Sequence, residues 1–202
     1  MGAATTTVGI FVFDDVELLD FAGPYEVFTT ANRLYHRDDP DAPDLFEVHT
    51  VSESGASVRA HAGLRIDPGH SFADCPRLDL LVIPGGIVTE ELARPEVAAW
   101  IGMVAAASCV TASVCTGAFL LAEAGLLDGK SATTHWEDID DLRSSWPSVT
   151  VEEGVRCVDE GAVVTAAGIS AGIDMSLHLV ERLAGRELAL QTARHMEYDW
   201  VE

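Results

Sequence analysis

The run Val110-Thr111-Ala112-Ser113-Val114 is small and β-branched, and it ends at Cys115. The helix-forming run Thr116-Gly117-Ala118-Phe119-Leu120-Leu121 follows with no spacer. That order dictates a buried strand, a sharp turn and a helix, with one thiol held at the corner. Ser113-x-Cys115-x-Gly117 has the form of a nucleophile elbow in which sulfur replaces the hydroxyl, and so tight a turn demands small neighbours. A helix N-terminus favours thiolate through its dipole and unpaired N–H groups, so Cys115 is expected as an activated nucleophile.

The rest of the chain supplies a scaffold for that corner. Residues 6–13, 78–83 and 109–114 are nearly continuous apolar runs, as central parallel strands covered on both faces require. Residues 17–24 lead into a helix with Pro24 near its first turn. Residues 36–44, with four aspartates and two prolines, read as a surface loop. Residues 58–60 and 64–66 suggest a hairpin, and residues 155–158 and 162–166 a second strand pair. Helical spacing recurs at 95–107, 116–124, 171–183 and 187–198, while residues 131–134 form a short strand delivering His135. Strand and helix alternate without linker or repeat. The pattern predicts one α/β domain over residues 1–202, a doubly wound, mostly parallel sheet with helices on both faces.

In such a sheet the functional crevice lies beyond the carboxyl ends of the strands. Three segments arrive there: the loop carrying Asp20, the Pro84-Gly85-Gly86 turn and the Cys115 elbow. The N–H groups of Gly85, Gly86 and Thr116 are expected to form an oxyanion hole. Asp20 is the nearest carboxyl, although it also suits a helix cap. A carboxylate beside a thiolate would repel it, so an Asp20–Cys115 contact requires a shared proton, and Asp20 then serves as proton donor or water activator. His135, twenty residues after the thiol, is expected as a pocket residue; the alternative is a ring satisfied by backbone partners beside Trp136.

Composition excludes whole classes of partner. With 33 acidic against 12 basic residues the net charge is −21, and Lys130 is the only lysine. Such a field repels nucleic acid and anionic membranes. No apolar run approaches the roughly 20 residues of a membrane span, and the first residues lack the pattern of a secretory leader. A cytoplasmic location is expected. The four cysteines lack paired C-x-x-C spacing, so Cys75, Cys109 and Cys157 are expected as small buried or half-buried residues. Outside His135, the histidines show no ligand spacing, so no metal site is expected.

The blocks Leu18-Leu19-Asp20-Phe21-Ala22-Gly23-Pro24, Ile83-Pro84-Gly85-Gly86, Ser113-Val114-Cys115-Thr116-Gly117, Thr133-Thr134-His135-Trp136 and Gly168-Ile169-Ser170-Ala171-Gly172 carry a resemblance to the ThiJ/PfpI superfamily. This is a branch of the class I glutamine amidotransferase-like, flavodoxin-like folds, and the resemblance spans nearly the whole chain. Within it the blocks are closest to isonitrile (isocyanide) hydratases, and they also resemble sensor domains of AraC-type regulators. The resemblance implies Cys115 as nucleophile, Asp20 as proton relay and Thr116 as a neighbour supplying hydroxyl or N–H. It further implies a small-molecule isonitrile substrate, a thioimidate intermediate, no cofactor and a homodimer. Thr116 stands where protease-like relatives carry histidine, which argues against peptidase activity. The rival readings are a ligand sensor and a redox-stress protein, the latter because an exposed low-pKa thiol oxidises readily.

Overall fold

The computed structural model describes residues 5–38 and 40–200. Its strands in chain order are β1 (Thr6–Phe11), β2 (Phe46–Ser52), β3 (Val58–Arg59), β4 (Arg65–Ile66), β5 (His70–Ser71), β6 (Leu80–Ile83), β7 (Val110–Val114), β8 (Ser131–Ala132), β9 (Thr150–Val151), β10 (Cys157–Asp159) and β11 (Val163–Ala166). The helices are α1 (Leu18–Asp38), α2 (Thr89–Leu92), α3 (Pro95–Ala105), α4 (Gly117–Glu123), α5 (Ile139–Ser145), α6 (Ala171–Ala184) and α7 (Arg186–His195).

Seven strands form one sheet in the order β10-β11-β7-β6-β1-β2-β5. Every pairing is parallel except that of β10 with β11. The stretch β2-β1-β6-β7-β11 has the 2-1-3-4-5 order of flavodoxin-like folds. From β1 the chain crosses one way to β2 and later the opposite way through β6, β7 and β11. Right-handed crossovers in opposite directions put their helices on opposite faces. Accordingly α1, α6 and α7 pack together, while α2, α3 and α4 form a separate group. Being covered on both sides explains why β6 and β7 are buried along their whole length.

The hairpin expected near residues 58–66 forms as β3 and β4, and the later strand pair as β10 and β11. Two expectations need correcting. Helix α1 begins at Leu18, so Asp20 belongs to its first turn instead of to a loop, and Pro24 sits inside the helix. The chain direction is already fixed before Leu18, by a bridge between Val16 and Gly86 and a 2.8 Å bond from the Glu17 N–H to the Gly85 carbonyl. Pro24 has no N–H to donate to the Asp20 carbonyl four residues back, so that helical bond is absent. The expected loop at residues 36–44 is also shorter, since His36 and Arg37 occupy the last turn of α1, where basic side chains suit the helix dipole. Asp39 lies outside the described residues. Cys109, expected buried or half-buried, is exposed. Among the described residues no helix is long and apolar enough to cross a membrane.

Candidate active site

The strand order reverses between β1 and β6, so their carboxyl ends open a crevice. The first turn of α1, the Pro84-Gly85-Gly86 turn and the end of β7 meet there. Cys115 occupies the corner with φ = 56°, a left-handed conformation that costs a non-glycine residue about 1–3 kcal/mol. Its own backbone bonds enforce that geometry. The Cys115 N–H donates to the Ala166 and Ala167 carbonyls, both at 3.1 Å, and its carbonyl accepts the Thr134 hydroxyl at 2.8 Å. Gly117 is equally constrained, because a Cβ there would stand 2.1 Å from the Ile83 carbonyl oxygen. The elbow can therefore close against β6 only with glycine at that position.

Asp20 lies beneath the thiol and is 0% exposed. Its Oδ2 accepts the Gly85 N–H at 3.0 Å. Its Oδ1 has no partner of normal hydrogen-bond geometry, although the Cys115 thiol lies close enough for each group to shift the other. Burial dominates both titrations. It raises the Asp20 carboxyl to about 7, against the lowering effect of the Gly85 N–H. Burial and then the Asp20 charge push the Cys115 thiol up to about 12, against the N–H groups of Thr116 and Ile169, which point at the sulfur. Burial thus outweighs the thiolate-favouring effect of the helix terminus expected from the elbow alone. Near neutrality the resting pair is a thiol facing a carboxyl that is about half ionised.

The expected oxyanion hole also changes. The Gly85 N–H is held by Asp20, and the Gly86 N–H donates to Thr116 Oγ1 at 2.9 Å. The Thr116 hydroxyl in turn donates to the Gly86 carbonyl at 2.8 Å. These two glycines therefore fix Asp20 and Thr116 and leave no donor for a substrate. The N–H groups that do reach the sulfur belong to Thr116 and to Ile169, itself left-handed at φ = 50°. Ile169 lies within a Gly-Ile-Ser-Ala-Gly block that reads most simply as a turn, and nothing in its side chain signals the backbone contact.

Above the thiol a cleft of about 260 Å³ opens to solvent. Ile87 and Ile169, exposed by 49% and 39%, give it apolar walls. Glu17, Glu137 and Asp138 make its rim acidic, and His135 turns its ring into it. The His135 Nδ1 lies 3.3 Å from the Glu137 N–H and 3.4 Å from Asp138 Oδ2. Asp138 escaped notice in the sequence, where it reads as one more acid in a helix start. A larger cleft of about 600 Å³ beside β10 and α6 contains none of these groups. Among the described residues no cluster of three or more His, Cys, Asp or Glu side chains is arranged to hold a metal ion.

Residues 6–182 match the DJ-1/PfpI family. The chain belongs to that family. It is 36% identical over 192 residues to an isonitrile hydratase of Pseudomonas putida, covering 95% of this chain and 78% of the relative. It is also 30% identical over 195 residues to the HTH-type transcriptional regulator GbdR of Pseudomonas aeruginosa, of whose length it spans 51%. The crystal structure of a ThiJ/PfpI family protein from Pseudomonas syringae superposes with a TM-score of 0.85 at 28% identity, covering 99% of this chain and 78% of that one. DJ-1/PfpI relatives thus carry names of both enzymes and regulators on one scaffold.

Proposed function

We propose that the Cys115–Asp20 pair of this DJ-1/PfpI protein hydrates isonitriles, R–N≡C, to N-substituted formamides. The observation that carries this reading is a thiol on the floor of a small cleft with a fully buried carboxyl beside it, close enough for each to shift the other. A carboxyl at about 7 is suited to give and take protons near neutrality. As the sulfur bonds to the terminal carbon, the thiol proton passes to Asp20, which returns it to that same carbon. The result is a thioimidate, Cys115–S–CH=N–R. Water adds to this carbon, the nitrogen gains a proton, the C–S bond breaks with its electrons going to sulfur, and the formamide leaves. The thiolate then recovers a proton through Asp20. The likeness to the Pseudomonas putida hydratase supports the substrate class. None of these steps calls for a metal or organic cofactor.

The deciding experiment follows formamide production from a panel of small isonitriles with wild type and Cys115→Ala. Turnover by wild type and none by the variant supports the reading, and a wild type inert toward every isonitrile sinks it. The second reading, a ligand-sensing unit, draws on the likeness to GbdR over 96% of this chain. It predicts thermal stabilisation by a small ligand without turnover. The redox-stress reading loses its premise, since Cys115 is only 7% exposed and its thiol is pushed up.

A further inference from the structure

Ile169 is β-branched and sits at φ = 50°, a conformation such a residue keeps only where its surroundings over-determine it. Its N–H reaches the Cys115 sulfur. The contact lies between β11 and α6, and one residue grips the chain on both sides of it. Ahead of Ile169, the Arg156 carbonyl accepts the Ala167 N–H at 3.0 Å, and the Ala167 carbonyl accepts the Cys115 N–H at 3.1 Å. Beyond it, Arg156 Nη2 donates to Ser170 Oγ at 3.2 Å, and Nε donates to Asp174 Oδ2 at 2.7 Å. We propose that Arg156 is a positioning residue that holds the Ile169 N–H on the Cys115 sulfur.

Charge makes this grip firm. Asp174 stands in the first turn of α6, is only 3% exposed, and takes a second bond on Oδ2 from Nη2 of Arg156. A carboxylate so buried needs a cation of good geometry beside it. The same Nη2 donates to the Tyr198 hydroxyl at 3.3 Å, which donates to the Ser170 carbonyl at 3.4 Å. These bonds fix where α6 begins. Gly172 in that turn comes so near Val114, the residue before the thiol, that a Cβ would stand 3.0 Å from both valine methyls. Lysine cannot replace the arrangement, because an ammonium is a point charge without the planar fork. A peptide N–H favours thiolate over thiol, so the residue that aims it governs how readily the sulfur ionises and how readily it leaves carbon. Arg156 and Asp174 line the separate cleft of about 600 Å³, so the guanidinium acts on the sulfur only through the backbone.

The assignment stands apart from the hydratase reading, because its test needs no isonitrile. Iodoacetamide labelling of Cys115 in the native protein is followed by peptide mass, with the exposed Cys109 as reference. Losing the Ile169 N–H is expected to cut the thiolate fraction about tenfold. Arg156→Ala should therefore label about tenfold more slowly across pH 7 to 9, and Ser170→Ala a few-fold more slowly. Free guanidinium ion, well below concentrations that unfold the protein, is expected to enter through the larger cleft and restore labelling in Arg156→Ala while leaving wild type unchanged. Should the alanine variant fail to fold, Arg156→Lys carries the test, since it keeps a cation for Asp174, loses the fork and should also label slowly. Unchanged labelling in folded Arg156 variants overturns the proposal. So does faster labelling, which a purely structural residue would produce by loosening the packing over a thiol that is 7% exposed. Guanidinium that restores nothing overturns it as well. A protein inert toward isonitriles removes the hydratase reading alone.

Discussion

The Thr116 hydroxyl and the Gly86 peptide exchange two hydrogen bonds, one donated in each direction, at 2.8 and 2.9 Å. That exchange joins the residue after the thiol to the turn after β6, and the same turn presents the Gly85 N–H to Asp20. Replacing Thr116 by Val leaves a half-buried N–H and carbonyl unpaired, which costs about 1–3 kcal/mol. Urea unfolding should show that loss in Thr116→Val and its recovery in Thr116→Ser. Equal stabilities in all three proteins would remove the bonds from the account of the site.

Asp20 gives stability a pH dependence of known sign. Its carboxyl is raised from 3.8 to about 7 in the folded chain, so its contribution is fully present below about pH 4 and is lost as pH rises through 7. Asp20→Asn carries no such charge and should exceed wild type by about 2–4 kcal/mol at pH 8, with the difference vanishing at low pH. Glu91, also raised to about 7 by burial, adds a slope of the same sign that both proteins share. Chemical denaturation across pH 5 to 8 checks this, and a constant difference between the two proteins contradicts it.

The thiol should respond to alkylation as a group far below its titration point. Burial and the Asp20 charge push Cys115 to about 12, so its thiolate fraction should rise about tenfold per pH unit through the neutral range. Iodoacetamide labelling of Cys115, read by peptide mass, should therefore climb without a plateau. Removing the neighbouring charge in Asp20→Asn should speed labelling at pH 8. A plateau below pH 7 in wild type would show a resting thiolate instead.

Gly168→Ala tests the outer wall without touching any reacting atom. A Cβ there would stand 2.1 Å from Cδ2 of His135, whose side chain is 17% exposed, so the ring must shift. The fold should survive, and overall hydration should fall by at least tenfold if the position of the ring matters. Unchanged activity would mean that the ring need not sit where it does.

The acidic rim should sort substrates by charge. Glu17, Glu137 and Asp138 surround the approach to Cys115, so an isonitrile with a cationic tail should be favoured over one with a carboxylate tail. A preference of about tenfold in kcat/KM at low ionic strength is expected, shrinking as salt is added. A preference insensitive to salt would place its origin in shape instead.

The inner half of this site was legible in the sequence because covalent and steric constraints there are local. A small strand, a cysteine and Gly117 can hardly be arranged otherwise, and a mostly parallel sheet with helices on both faces follows from the alternation of strand and helix. What escaped reading depends on distant partners. Gly85 and Gly86 announce available donors, but nothing nearby reveals that Asp20 and Thr116 take them. Ile169 acts through its peptide, which every residue possesses. Asp20 was recognisable as a carboxyl, yet Pro24 drew the helix start too far along the chain. The high titration point of the thiol is likewise a product of burial by the whole fold, which outweighs the local pull of the helix terminus.

The short strand β8 pairs with β9 in a two-stranded sheet of its own, apart from the seven-stranded one, and the segment after it carries His135 and Asp138. The two sides of the cleft therefore sit on separate sheets, tied together by the Thr134 hydroxyl on the Cys115 carbonyl and the Thr133 N–H on Thr165 Oγ1. Thiol and buried carboxyl are anchored in the central sheet, whereas the ring and its carboxylate ride on an appendage. An insertion or replacement beyond Thr134 would re-tool the mouth of the cleft and leave both the strand that presents sulfur and the Thr134 bond to the Cys115 carbonyl uncut. A fold built this way can keep one reactive floor and exchange its ceiling, acquiring a new specificity or going catalytically silent, without learning to fold again.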